Sequence, residues 1–283
     1  VYRIPPAAEQ PARGAKVHDG EARLARSAEL ISVRGLRKEY GTARGPVLAL
    51  DRIDFAVGEG EFVAIVGPSG CGKSTLLKIL AGLLPATNGQ ALLRGVSITG
   101  PRRDIGVVFQ SPVLFPWRTV LDNVLLPVDV QRLGRDGNVS RAMELLSLVG
   151  LHGFEHRYPW ELSGGMQQRV AITRGLIHNP AMLLMDEPFG ALDAMTREGL
   201  NLELQRIWLE RRETVVFITH SIAEAVFLAD RVLIMTPRPG HIAEEVRVAI
   251  PRPRSLDMMG APEFSEAVRR IRSHFNAKGR LEG

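Results

Sequence analysis

The sequence predicts an α/β fold: a mostly parallel sheet with helices on its faces, a smaller antiparallel β subdomain, and an inserted helical subdomain. Three observations carry that prediction. Residues 62–80, FVAIVGPSGCGKSTLLKIL, pass from five apolar residues through a glycine-rich turn into Leu76, Leu77, Ile79 and Leu80 at helical spacing. Short apolar runs return at 181–185, 214–219 and 232–235 with helical patterns between them, the alternation expected of parallel strands joined by crossover helices. From 112 to 178 the strand pattern gives way to amphipathic helical segments at 120–133 and 142–151, punctuated by Pro112, Pro116 and Pro127.

Taken in order, residues 1–29 are rich in Pro, Ala, Arg and Gly without periodicity and are expected to form a disordered extension. Strands are predicted over 31–40 and 47–57, with a turn at Gly58 and Gly60 leading into the strand at 62–66. Gly82 ends the following helix and Pro85 blocks its resumption. Asn88-Gly89 reads as a hairpin turn into a strand at 90–94, so short antiparallel strands flank the glycine-rich unit. Residues 105–109 form another strand, ending at Gln110. Beyond the insertion, Leu200, Leu204, Ile207 and Trp208 make one apolar helix stripe, which a core contact explains fully. A short helix at 222–228 follows the strand at 214–219. The chain closes with a proline-broken linker, PRPR at 251–254, and a helix at 262–275. The domain boundaries expected from this are an extension at 1–29, a main domain at 30–248 with its helical part at about 112–178, and an appended linker and helix at 249–283.

Composition narrows the setting. With 45% hydrophobic residues, the 283-residue chain can bury a full core. Its 36 Lys+Arg against 31 Asp+Glu leave a net +5, much of it near the two ends. Nucleic acid, an anionic membrane surface and a merely solvated basic tail are all compatible with that. One cysteine, Cys71, excludes a disulfide within the chain. No apolar run approaches the roughly 18 residues that span a bilayer, and the first residues lack the apolar core of a signal peptide. A soluble, cytoplasmic protein is expected.

The chemistry concentrates at three places. GPSGCGKST at 67–75 fits G-x-x-x-x-G-K-[ST] between a strand and a helix, the context a P-loop requires. Gly67, Pro68, Ser69, Gly70, Cys71, Gly72, Lys73, Ser74 and Thr75 would wrap phosphate oxygens with backbone N–H groups. Lys73 would neutralise the β- and γ-phosphates, and Ser74 would offer its hydroxyl to Mg²⁺. A chance glycine-rich turn is the alternative. MLLMDE at 182–187 is an apolar strand delivering Asp186 toward that metal, with Glu187 placed to polarise water; a helix N-cap is the alternative. LSGGMQQR at 162–169 puts Ser163 at a helix N-cap with Gly164 and Gly165 in the first turn. Each glycine costs roughly 1 kcal/mol against alanine in a helix interior, but at a helix start it permits close approach of an anion. Cys71, at a helix N-terminus beside Lys73, is expected to hold a reactive thiolate that a maleimide would label in the empty protein, with MgATP slowing the reaction.

Together, GPSGCGKST, Gln110, LSGGMQQR, MLLMDEP, the ALD ending at Asp193, and His220 resemble the ATP-binding subunit of an ABC transporter over residues 31–248. The resemblance implies a P-loop NTPase core and two copies packed head to tail. Each ATP would lie between the P-loop of one copy and the LSGG of the other. It implies Tyr40 stacking on adenine, Ser74, Gln110 and Asp186 at Mg²⁺, and Glu187 as general base. His220 would bridge γ-phosphate and water. Ser163, Gly164, Gly165, Gln167 and Asp193 would face the partner's ATP. FQSPVLFPW at 109–117, DEPFGALD at 186–193 and MTPRPG at 235–240 are similar to the nitrate, sulfonate and taurine importer ATPases. That subgroup implies a bacterial importer subunit at the cytoplasmic face of the inner membrane. Its partners would be a second ATPase subunit, transmembrane permeases and, indirectly, a solute-binding protein, without nucleic acid. Motion would pass through residues 114–118 of the insertion. Three residues depart from the pattern: Thr173 and Gly175 replace alanines, which should weaken their helix, and Ser221 follows His220 where aspartate is usual. Soluble ABC ATPases acting on nucleic acid or ribosomes are the rival class, but they carry two cassettes or a long coiled-coil insertion. A small-molecule phosphotransferase would have no use for LSGG.

Overall fold

The computed structural model of the chain describes residues 29–276; the expected disorder of the extension therefore lies outside the described residues. Strands β1 (Glu29–Thr42), β2 (Gly45–Gly58), β4 (Asn88–Leu93) and β5 (Val96–Ser97) form an antiparallel sheet in the order β2-β1-β4-β5. The main sheet has the order β10-β9-β3-β8-β7-β6, from β3 (Phe62–Val66), β6 (Ile105–Val108), β7 (Met182–Asp186), β8 (Thr214–Thr219), β9 (Arg231–Met235) and β10 (Ile242–Arg247). All its pairs are parallel except β10 with β9. Both faces are covered, which is why β3 and β8 are buried along their whole length. Alternation along β3 divides two cores. Phe62, Ala64 and Val66 face a cluster with Leu183, Met185 and Phe217. Val63 and Ile65 face one with Leu76, Leu80, Ile31 and Ile53, from the helix α1 (Lys73–Leu80) and the antiparallel sheet.

Between β6 and β7 lie α2 (Val120–Val124), α3 (Leu126–Gln131), α4 (Asn138–Leu148) and α5 (Gly164–Leu176). The single helix expected over 120–133 is broken in two, because Pro127 in the first turn of α3 has no N–H to continue the ladder. The helix expected over 142–151 begins and ends earlier. Gly150 takes φ 67° and Leu151 N–H donates to Leu146 O at 2.8 Å, closing α4 by a left-handed turn. The expectation that Gly175 weakens α5 meets a different use of that glycine, which lets α5 press on the sheet: a Cβ there would stand 3.1 Å from both Leu183 Cδ1 and Val108 Cγ2. Opposite it, a Cβ on Gly106 would stand 2.4 Å from the Gly175 carbonyl oxygen. Thr173 is buried and returns its hydroxyl to the Arg169 carbonyl at 2.8 Å.

The hairpin turn expected at Asn88-Gly89 is not there. Both residues lie in β4, and Gly89 (φ 73°) sits at an irregularity where a Cβ would meet Gly35 O at 2.2 Å. The tight turn comes later, at Arg94 (φ 52°) and Gly95 (φ 74°), joining β4 to β5. Strand β10 has no counterpart among the expected elements.

After β8, α7 (Ile222–Leu228) packs beside α6 (Ala194–Arg211), the helix carrying the Leu200–Trp208 stripe, all of it buried. The terminal helix α8 (Pro262–Asn276) packs on α7. Among the described residues no helix is long and apolar enough to cross a membrane.

Candidate active site

Strand register assembles the site. Val66 lies beside Thr219, and Asp186 beside Ile218, in the order β3-β8-β7. The next residues of the three strands, Gly67, Glu187 and His220, therefore emerge together at the carboxyl edge of the sheet, where open α/β sheets bind ligands. Glycines make the first of these turns possible. Gly70 and Gly72 take φ 73° and 110°, and a Cβ on Gly72 would stand 2.6 Å from Leu50 Cδ2. Gly72 caps α1 without a side chain, so no side chain caps the first N–H groups of the helix.

A cleft of about 260 Å³ opens here, lined by Tyr40, Val47, Ala49, Ser69, Gly70, Gly72, Lys73, Ser74, Thr75, Glu187 and Arg238. Lys73 is only 5% exposed; its ammonium donates to Gly67 O at 2.8 Å and Pro68 O at 3.2 Å and lies 4.0 Å from Glu187 Oε1. Tyr40 OH lies 3.3 Å from Thr75 Oγ1, and the residue stays 37% exposed, which leaves a ring face for a base to stack on. Glu187 adopts φ 45°, a left-handed conformation that costs about 1–2 kcal/mol for a residue with a Cβ. Its N–H donates to Ile218 O at 2.9 Å, holding that turn against β8. The carboxylate ends between Lys73 and His220, with Oε2 3.4 Å from His220 Nδ1. His220 is half-exposed, and Ser221 follows it at the start of α7. Ser221 Oγ accepts the Glu224 N–H at 3.3 Å and caps α7, while its own N–H donates to Thr219 Oγ1 at 3.0 Å. Serine thus serves as the cap at the position where aspartate is usual.

The donor set fits Mg²⁺. Ser74 hydroxyl donates to Asp186 Oδ1 at 3.2 Å, so two hard oxygens stand together. Burial pushes the Asp186 carboxyl above the usual range, only partly countered by Ser74 and, more weakly, Lys73, with Glu187 adding to the rise. A carboxylate short of compensating charge is one a divalent cation relieves. No cluster of three metal-ligating His, Cys, Asp or Glu occurs among the described residues. The Ser74–Asp186 pair suits Mg²⁺, which takes one or two protein oxygens and completes its shell with phosphate and water. Gln110 does not line this cleft; it is exposed, and its amide nitrogen lies against Gly190.

Cys71 overturns one expectation. Its backbone belongs to the turn, but the side chain is 1% exposed and packs behind Gly67, with Sγ 2.9 Å from where a Cβ on that glycine would stand. Burial raises the thiol pKa and outweighs the lowering by Lys73 and the backbone. We therefore expect negligible maleimide labelling of the native protein, with or without MgATP, and rapid labelling in urea, read by intact mass. Fast labelling of the folded protein would show that the thiol is reached without unfolding.

The remaining predicted residues form a second group that does not line the cleft. Ser163 Oγ accepts the Met166 N–H at 3.3 Å and starts α5. A Cβ on Gly165 would stand 2.8 Å from Thr196 Cγ2, and one on Gly164 would stand 3.5 Å from Leu192 Cδ2. The start of α5 is thus pressed on the start of α6, where Asp193 Oδ1 accepts the Thr196 N–H at 3.0 Å. Gln167 is engaged locally: its amide donates to Pro159 O at 2.9 Å and Leu162 O at 3.3 Å. The cleft wall also contains Val47, Ala49 and Arg238, to which the sequence motifs assign no role. The sequence marks Arg238 only as a cation between two prolines within the MTPRPG run at 235–240, without a role.

A glycine turn offering N–H groups, with a buried lysine inside it, is built to hold polyphosphate, and Glu187 lines the same cleft with His220 3.4 Å from its carboxylate at the end of the neighbouring strand. This is the constellation of a P-loop nucleoside triphosphatase. Comparison with known proteins narrows the class. Residues 50–190 match the family described as ABC transporter. The chain is 46% identical over 234 residues to the taurine import ATP-binding protein of Burkholderia thailandensis, covering 83% of this chain and 87% of that one. It is 41% identical over 253 residues to the aliphatic sulfonates import ATP-binding protein of Bacillus cereus, covering 89% and 98%. Among solved structures it resembles the dimeric post-hydrolysis state of an ATP-binding cassette bound to ADP and Pi. The TM-score is 0.69 at 34% identity, covering 78% of this chain and 100% of that one. The chain belongs to the ABC transporter family, as one of its ATP-binding proteins.

Proposed function

We propose that this chain is the ATP-hydrolysing subunit of a bacterial importer for a small solute such as nitrate, a sulfonate or taurine. It works as one of a pair of cassettes at the cytoplasmic face of the inner membrane, beneath transmembrane permeases served by a solute-binding protein. Residues 30–248 act as the ATPase, 112–178 as its helical subdomain, and 249–283 as an appended linker and helix. The observation that carries this reading is the division of the site. The P-loop and the LSGG motif each place glycines at a helix start suited to anions, and of these two only the one at Lys73 lines the cleft. The start at Ser163 is then free for the nucleotide of a second copy. The dimeric ADP-bound cassette supports that arrangement by its likeness to this chain, and the import proteins named above support uptake as the work performed.

In this mechanism the N–H groups of Gly70, Gly72 and the first turn of α1 hold the polyphosphate, and Tyr40 stacks on the adenine. Lys73 exchanges its carbonyl partners for phosphate oxygens. Ser74 and Asp186 would hold Mg²⁺, which supplies positive charge against the phosphates, and Gln110 would approach as the insertion moves. Glu187 accepts the proton of the attacking water. His220 orients that water and the γ-phosphate. Ser163, Gly164 and Gly165 close on the partner's γ-phosphate, with Gln167 and Asp193 holding that edge. ATP binding closes the pair and hydrolysis reopens it, the motion passing through residues 114–118.

A mixture of two inactive chains tests the pairing. Ser163→Arg and Lys73→Ala proteins should each be inert alone. A mixed dimer holds one site with both lesions and one with neither, so activity should return on mixing. Mixed dimers that form and stay inactive would rule out sites shared between two chains.

A further inference from the structure

Resting on the reading that the cleft takes ATP, we infer that Arg238 is a further nucleotide-binding residue, a fixed cation for the polyphosphate at the outer wall of the P-loop. The turn that carries it, between β9 and β10, is held at every side. Thr236 Oγ1 accepts the His241 N–H at 3.1 Å and lies 2.9 Å from His241 Nδ1, while the Thr236 N–H donates to His241 O at 3.0 Å. Gly240 N–H donates to Ala49 O, and Asp51 N–H donates to Gly240 O, both at 2.9 Å. The turn also lies backbone to backbone on the P-loop, since a Cβ on Gly240 would stand 2.1 Å from Cys71 O. Tied to both β2 and the P-loop, it cannot move away from the cleft without disturbing them.

At the tip of that turn Arg238 lines the cleft with Tyr40, Lys73, Ser74 and Glu187. Its Nη2 donates to Gly70 O at 3.2 Å, within the loop that would wrap the phosphates. Among the described residues no carboxylate pairs with it and no second hydrogen bond engages it, so most of a guanidinium's five N–H donors remain available. An arginine positioned by a rigid backbone and lacking an acidic partner suits a multivalent oxyanion, which it can meet with two parallel hydrogen bonds. The competing role is a clamp, in which Arg238 does no more than hold the Gly70 carbonyl.

Calorimetric titration with MgATP, MgADP and AMP separates the two roles. If Arg238 binds phosphate, Arg238→Gln weakens MgATP by about 10-fold or more, the scale of one charged hydrogen bond. AMP binding and Tm stay unchanged, and Arg238→Lys recovers most of the affinity. In steady state KM rises by about the same factor while kcat holds within about twofold, because the arginine binds the ground state and the transition state equally well. Glutamine is shorter than arginine and cannot reach Gly70 O from this held turn, so a mere clamp would be broken in both Arg238→Gln and Arg238→Ala, with AMP weakened along with ATP. That pattern, or unchanged MgATP affinity in Arg238→Gln, overturns the inference. Failure of the unaltered protein to bind MgATP would instead overturn the reading of the cleft.

Discussion

Glu187→Gln should bind MgATP, stay locked as a closed dimer, and hydrolyse at least about 100-fold more slowly, the lower range for losing a positioned acid–base group. The geometry makes this substitution a clean one. Glutamine has the size of glutamate and meets the same left-handed backbone at φ 45°, so it changes little in the strain at that turn. Its side-chain oxygen can still accept from His220, which stands 3.4 Å away, or face Lys73 at 4.0 Å. What it loses is the capacity to take a proton. The phosphate-binding groups of Lys73, Gly70 and Gly72 are untouched, so nucleotide affinity should survive. Light scattering with and without MgATP reads the dimer, and phosphate release reads the chemistry. A variant that hydrolyses at the normal rate and stays monomeric with ATP would remove Glu187 from the role of base. Lys73→Ala is the contrasting case: it should fail earlier, at binding, because it removes the cation the loop is wrapped around.

The carboxyl edge of the sheet was legible in the sequence because the strands that build it are buried on both faces. Runs such as FVAIV and TVVFIT leave little choice but parallel central strands, and each leads directly into a residue of the site, Gly67 and His220. The edge strand β10 was not legible, since IAEEVR exposes three of its six positions and its alternation is masked by charge. Asn88-Gly89 misled because glycine serves a close backbone approach as readily as a hairpin turn, and only the position of Gly35 distinguishes the two. Cys71 misled for a related reason. A helix start and a neighbouring lysine can be read along the chain, whereas burial depends on how β9 and Gly67 close over the thiol. Arg238 meets Gly70 across 168 residues, a contact no local pattern encodes.

The C-terminal linker should prove as important to stability as any core side chain, through Arg254. This arginine is buried, and no carboxylate among the described residues pairs with it. Its guanidinium donates instead to the carbonyls of Val226, Phe227 and Ala229, at 2.7, 3.1 and 2.8 Å, which end α7, and to those of Val248 and Ile250. Arg252 reaches the Leu228 carbonyl beside them and lies over the Trp208 ring at 4.3 Å. Gln205 of α6 binds both the N–H and the carbonyl of Arg254, each at 2.7 Å. Arg254, with Arg252 at Leu228, thus satisfies the orphan carbonyls of a seven-residue helix that begins beside His220, and their charge complements the helix end. Burial pulls the guanidinium down to about 10, with Arg252 adding to the fall. It remains charged at neutral pH, and because the shift disfavours the charged form, burying that charge costs stability there. The hydrogen bonds must more than offset this. Arg254→Leu leaves several buried carbonyls without donors, at about 1–3 kcal/mol each, and should destabilise the protein by about 3 kcal/mol or more. At about 2–4 °C per kcal/mol for a chain of this size, Tm should fall by at least about 6 °C. Arg254→Lys, which keeps the charge but only three donors, should fall between the two. An Arg254→Leu protein that melts within about 2 °C of the parent would mean that water or a backbone shift satisfies those carbonyls, and that the linker is not what holds the end of α7.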